Sequence, residues 1–379
     1  TTPWELDDSY EDPGPKTEIS RYGDHVFLPL EIDPRFAKGT FGRPSYHYNG
    51  LQWMSMAQFE VIRASEGYMG AFTVAGLDDA KGERVLHSVL RFTTPDEARL
   101  AAEAIANADR TDGSRILEED SPMPGAPVEI PGHPELLATQ MGVQLSVVTT
   151  HNQFLVYGSA EYVRPLERDD VPPPPEPDLS WQPGYIAAYF EKQLPEIDSI
   201  VAYTTSAGVG NSSDWQPIDP NDVLRYTLQW PEPPAEEDFH MPMSYGPRSG
   251  AARYRNTLMM WNIFNEAGVD TVANNYNDVF RARDEQSAAA MVQSLRQSKL
   301  DDEFREYQDP QGVPGTTCLQ RDEIDGVTYT CYIQFGRFVA TGGSSDKFQD
   351  VGDDIAPYEL SQLMAAQYVL FEQMDPRDR

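Results

Sequence analysis

Both cysteines of the chain, Cys318 and Cys331, fall in one stretch, Val313 to Gly342, whose β-branched and aromatic residues are cut by Gly326 and Gly336. That pattern predicts three antiparallel strands, with Cys318 on the first and Cys331 on the second. Two cysteines allow a single intrachain pairing, and neighbouring hairpin strands bring their Cα atoms within bridging distance. A bond closing a loop of about 14 residues stabilises by roughly 3 kcal/mol on the chain-entropy model. It also implies an oxidising compartment. The alternative is two buried thiols in a reducing one. Two cysteines with no histidine between or near them do not make a zinc site.

A counterpart without cysteines occurs earlier, as Ile130-Pro131-Gly132-His133-Pro134, then Gly142 to Thr150, then Phe154 to Gly158. Pro131-Gly132 and Pro314-Gly315 stand 183 residues apart, and Gly142 and Gly326 stand 184 apart. What precedes these anchors repeats as well. Trp53, Met56, Phe59 and Ile62 have helical spacing, Met69 to Val74 and Val85 to Phe92 read as strands, and Thr94-Pro95-Asp96-Glu97 is a capping box opening an Ala-rich helix. In the second half Leu258, Met259, Trp261 and Phe264 have the same spacing, Val269 to Ala273 and Asn277 to Ala282 read as strands, and Asp284 caps a helix through Leu295. The expected fold class is α+β. It comprises two related ferredoxin-like domains from an internal duplication, with antiparallel sheets and helices packed on one face.

The expected organisation is a flexible acidic arm over residues 1–24, a first α+β domain over 25–170, a Pro-rich linker region over 171–243 and a second α+β domain over 244–379. The linker holds a helix, Gly184 to Gln193, and a strand, Val223 to Gln229, between stiff segments at Val171 to Pro177 and Trp230 to Asp238. A last amphipathic helix runs from Tyr358 to Met374 without a basic face.

A formal charge of −32 over 379 residues repels phosphate backbones, so nucleic acid is not an expected partner. Acidity of this kind also keeps an exposed protein soluble. No run of apolar residues is long enough for a transmembrane span. Neither a Gly-x-Ser-x-Gly elbow, a His-Glu-x-x-His motif, a Walker loop nor a Cys-x-x-Cys pair is present. Gly208-Val209-Gly210-Asn211 lacks the third glycine of a dinucleotide loop and reads as a turn. The six histidines, His25, His47, His87, His133, His151 and His240, show no metal-ligand spacing. His133, after the repeated Pro-Gly turn, and His151, in a hairpin, are the two candidates for a shared cleft. The acidic runs Asp78 to Glu83 and Asp350 to Asp354 lack a calcium-loop pattern and read as solvated turns. No catalytic residue, metal or cofactor is expected.

Tyr245-Gly-Pro-Arg-Ser-Gly, Ala267 to Ala273, Val279 to Glu285 and Ala365 to Phe371, with Val89 to Pro95, Ile130 to Pro134 and Phe154 to Tyr157 in the first half, carry a resemblance. From about residue 20 to the end the chain resembles a family of secreted lipoproteins of mycolate-producing actinobacteria with a two-part domain of unknown function. The resemblance implies export and a lipid anchor in the cell envelope, on a cysteine preceding Thr1. It brings no catalytic residues. The leading expectation is a non-enzymatic envelope protein that binds a protein partner or envelope component. The alternatives are a subunit of a larger surface assembly, and an envelope hydrolase using a carboxylate with His133 or His151 as acid and base.

Overall fold

The computed structural model describes residues 14–46, 51, 53–113, 123–163, 177–200, 218–229, 242–323, 326–343 and 357–375. Several expectations lie outside these residues: His47, His240, the 208–211 turn, the 350–354 acidic run, the 230–238 segment and most of 171–177. The chain divides into two compact units, Gly14–Trp215 with Asn256–Leu258, and Gln216–Arg255 with Met259–Arg379.

The N-terminal unit contains helices α1 (Gly14–Tyr22) and α2 (Pro29–Ile32), strand β1 (Lys38–Ser45), helix α3 (Met56–Ala64), and strands β2 (Tyr68–Asp78) and β3 (Glu83–Phe92). Helix α4 (Pro95–Thr111), strands β4 (Ala126–Ile130), β5 (His133–Met141), β6 (Gln144–His151) and β7 (Phe154–Tyr162), and helix α5 (Gln182–Ile197) follow. The seven strands form one sheet in the order β1-β2-β3-β7-β6-β5-β4, with every pairing antiparallel. In a split βαβ unit, strands joined by a helix flank one other strand. Here β1 and β2, joined through α3, are direct neighbours, and β3 and β4, joined through α4, have three strands between them. The topology therefore differs from the ferredoxin-like expectation.

Helices cover both faces, not one. Leu86 and Leu90 of β3 pack in a core with Ala98, Ala101, Ala102 and Ile105 of α4. His87, which points to the opposite face because successive strand residues alternate, stacks on Tyr189 of α5 with ring centroids 3.7 Å apart. Double coverage explains why β2 and β3 are buried almost continuously, with no polar alternation. The capping box forms as expected: Thr94 accepts from the Glu97 amide, and Pro95 occupies the first turn.

Two N-terminal expectations are corrected. Residues 14–22 are helical, and Glu18, Ile19, Ser20 and Tyr22 are buried, so the expected arm ends in a packed element. Arg91 of β3, itself buried, holds it by donating to Glu18 and to the Tyr22 hydroxyl. The helix assigned to the linker is longer than expected and lies on β6 and β7 of the first sheet, burying Tyr185, Ile186, Tyr189 and Phe190.

The C-terminal unit contains β8 (Met243–Tyr245), α6 (Pro247–Ala252), α7 (Thr257–Ala267), β9 (Thr271–Asn274), β10 (Asp278–Arg281) and α8 (Glu285–Asp301). Strands β11 (Arg305–Tyr307), β12 (Thr316–Glu323), β13 (Gly326–Phe335) and β14 (Phe338–Gly343), and helix α9 (Pro357–Glu372), complete it. Its sheet order, read from β8, is β8-β9-β10-β14-β13-β12-β11, the same walk through seven strands as in the first sheet. Phe264 of α7 packs on Phe280 at 5.3 Å, while Met364 of α9 closes on Gly342 across the opposite face. The expected strand from Val223 to Gln229 is instead a 3-10 turn over Leu224–Tyr226 followed by extended chain. Its backbone bonds to Gln367 of α9 and to Asn277 and the Tyr276 amide of the β9–β10 hairpin, and it is not part of a strand ladder.

Candidate functional site

Cys318 and Cys331 are direct cross-strand partners on β12 and β13, Cα atoms 4.1 Å apart, and are disulfide-bonded. Both are fully buried. Cys331 pairs with Gly342, so the bond lies on the face that α9 covers. The register Ala138–Val147–Gly158 in the first sheet matches Cys318–Cys331–Gly342 in the second. Ala138 and Val147 are buried there as an apolar pair.

Glycine occupies the last position of that match in both halves. A Cβ on Gly158 would stand 3.1 Å from the Tyr189 ring, and one on Gly342 would stand 2.0 Å from Met364 Cε, so each lets the closing helix approach its sheet. Each closing helix also carries a fully buried glutamine. Gln193 donates to the His25 carbonyl at 2.7 Å and accepts from the Phe27 amide at 3.0 Å. Gln367 donates to the Tyr226 carbonyl at 2.8 Å and accepts from Asn277 at 2.8 Å, while the Leu228 amide donates to Asn277 at 2.8 Å. In both halves the gripped carbonyl belongs to the last residue of a 3-10 turn, Gly23–His25 or Leu224–Tyr226.

The four described histidines all meet α5 or the turn at its end. His25 pairs with Glu196 at 2.8 Å and with Ser199, His133 with Glu135 at 3.1 Å and Glu191 at 3.5 Å, and His151 with Asp198 at 2.5 Å. His133 begins β5 and His151 ends the antiparallel β6, which carries both to the same end of that strand pair. Each thus has a carboxylate partner, in contacts that attach α5 to its sheet. His87 is buried between strand and helix. Its Nδ1–H donates to the Phe27 carbonyl at 2.7 Å, and the Tyr185 hydroxyl donates to Nε2 at 2.9 Å. That arrangement fits the neutral ring, and burial pushes its pKa down to about 3 against the Phe27 bond, which raises it.

On the other face Asp109, at the last turn of α4, is 1% exposed and has no cation bonded to it. Gln58 of α3 donates to one oxygen at 2.7 Å and Ser146 of β6 to the other at 2.7 Å. Burial lifts its pKa to about 6, against the opposing effect of those two bonds and of Arg110. The corresponding last turn of α8 carries Lys299, buried over the Phe304 ring at 4.8 Å.

The C-terminal unit has its own buried polar chain. Arg253 donates to Tyr245 at 2.8 Å and to Asn274 at 2.7 Å, Asn274 donates to Asp278, and Tyr254 also donates to Asp278. Between α7 and the N-terminal turns of α8 lies a surface groove of about 330 Å³ with Ile263, Ala267, Ala290 and Met291 as its apolar part and Arg283 and Gln286 among its polar groups. Arg283 reaches Ser287 at 3.1 Å. Neither His133 nor His151 lines it. Among the described residues, no three His, Cys, Asp or Glu side chains are grouped so as to hold a metal ion. No helix among them is long and apolar enough to cross a membrane. Sequence reasoning missed Asp109, Gln58 and Ser146. They come from three elements up to 88 residues apart, and no local pattern marks them.

These features define a two-part α+β protein in which each half is a seven-stranded antiparallel sheet held between helices. The chain belongs to the DUF7373 family: the N-terminal domain of unknown function matches residues 7–208 and the C-terminal one residues 223–374. The first match includes α5, in keeping with its place on the first sheet. No curated protein matches the chain. Among solved structures, the extracellular domain of PknH from Mycobacterium tuberculosis is similar at 11% identity and a TM-score of 0.31, over 46% of this chain and 94% of that one.

Proposed function

We propose that this is an exported cell-envelope protein, lipid-anchored upstream of Thr1, with a non-enzymatic binding role, built from two copies of one α+β unit. The observation that carries the compartment is the Cys318–Cys331 bond, since a buried structural disulfide forms and persists under oxidising conditions. The copying is supported by the common strand order and by the paired Gly158/Gly342 and Gln193/Gln367 positions. The lipid anchor and the actinobacterial envelope rest on the resemblance alone.

The binding role is supported by the α7–α8 groove, whose volume and mixed lining suit a small ligand or a partner side-chain cluster. The two histidines proposed for acid–base work serve to fasten α5. A photo-crosslinker at Gln286 in the native envelope fraction should give one discrete adduct, lost when Ala290→Trp fills the groove. Hydrolysis of envelope glycan or lipid that vanishes in His133→Gln or His151→Gln would replace this reading with the hydrolase. Two reactive thiols in the denatured, non-reduced protein would remove the compartment argument.

A further inference from the structure

We propose that the N-terminal half carries two proton-responsive sites, Asp109 and His87, on opposite faces of one sheet, whose proton uptake acts in opposing senses, so that acid tightens the seat of α4 and loosens that of α5.

The geometry carries this. Asp109 ties α4 to α3 and β6 through Gln58 and Ser146, both neutral, with the Tyr157 phenol of β7 beside them. A buried carboxylate with no bonded cation is costly to ionise, and protonation removes that cost. The charge acting on it is that of Arg110, on its own helix. His87 lies against the Phe27 carbonyl, Tyr185 and Tyr189 of α5, and its strand partners Val74 and Gly158. The charges acting on Tyr185 are Asp33 and Arg35, which are bonded to each other. No carboxylate bonds to the imidazole, so a second ring proton would be buried without a counter-charge.

The signs follow from linkage. Asp109 titrates at about 6 when folded against 3.8 when free. Its stabilising contribution is full below the lower value and is lost as pH rises through about 6. His87 titrates at about 3 against 6.5. Its contribution is full above 6.5 and is lost as pH falls toward 3. From pH 6 to 4 the folding equilibrium shifts about 30-fold through Asp109 and about 70-fold through His87, in opposite directions. The two largely offset in the overall stability of the parent chain, while each acts on its own helix.

The test is amide exchange of β3 and β7 in the full chain between pH 6 and 4, corrected for intrinsic rates. Relative to the parent, Asp109→Asn should lose about 30-fold in protection on acidification, and His87→Asn should gain about 70-fold. Variant profiles parallel to the parent, or shifts of the same sign, would overturn the proposal. Should a variant fail to fold, NMR titration of the parent decides. The Asp109 carboxyl should hold its proton above pH 5 and the His87 ring should remain neutral below pH 5; the reverse in either would overturn the proposal.

Discussion

The first sheet and the second share a strand order, yet they are reinforced by different chemistry. At the matched core position the C-terminal half has the Cys318–Cys331 bond, where the N-terminal half has Ala138 against Val147. At the end of the first long helix the N-terminal half buries an acid, Asp109, and the C-terminal half a base, Lys299. Where the N-terminal half covers its sheet with α1 through the buried Arg91–Glu18 contact, Arg281 of β10 bonds to Asp270. The shared parts are backbone requirements: close approach at Gly158 and Gly342, and a glutamine gripping a nearby segment. The parts that differ are side-chain choices at buried sites, where many combinations satisfy the same packing.

Perturbations of each half sharpen this contrast. The largest effect is expected from Glu18→Ala, which strips a buried guanidinium of its carboxylate and should cost about 3 to 5 kcal/mol. Amide exchange should speed up in β2 and β3 while β12 and β13 keep their protection. Replacing both cysteines with serine should cost the C-terminal half about 2 to 5 kcal/mol. A denaturant titration followed by exchange should show β12–β14 opening at lower concentration and the first sheet unchanged. The reciprocal experiment installs a staple. Ala138→Cys with Val147→Cys should oxidise spontaneously and stabilise the first sheet by up to about 3 kcal/mol. Free thiols persisting in that variant would show that the two strand pairs are not geometrically equivalent. The smallest effects are expected from Gln193→Ala and Gln367→Ala, each removing the side-chain bonds that hold a neighbouring segment, at about 1 to 3 kcal/mol. Protein stability measured half by half should show similar losses; a loss confined to one would mark its grip as incidental.

Much of the fold was legible where the signal is local. Thr94 and Asp284 cap their helices, and the hairpins around Gly326 and Gly336 form as the spacing predicts. Helix α3 starts at Met56 and leaves Trp53 outside it, because Ser55 and Gln58 form a capping box there. The strands β1, β4 and β5 escaped because Pro44, Pro127 and Pro134 interrupt their β-propensity. Pro44 and Pro127 sit on sheet edges, where a missing amide is tolerated. The Pro-rich run before helix α5 resembles a spacer and assigns the helix to the linker, while its docking surface lies on strands about 30 residues earlier. His133 and His151 were singled out from turn position, but their acidic partners are set by where α5 lands.

By itself the sequence determined the periodic and punctuating features: caps, turns, the repeat of elements and the pairing open to two cysteines. Those depend on a few neighbouring residues and backbone sterics. Tertiary structure alone decided that helices cover both faces of each sheet, that the segment before the first strand is packed, and that Asp109 and His87 are cut off from water. Burial and counter-charge depend on chain segments tens to more than a hundred residues apart, and no local pattern encodes which of them meet.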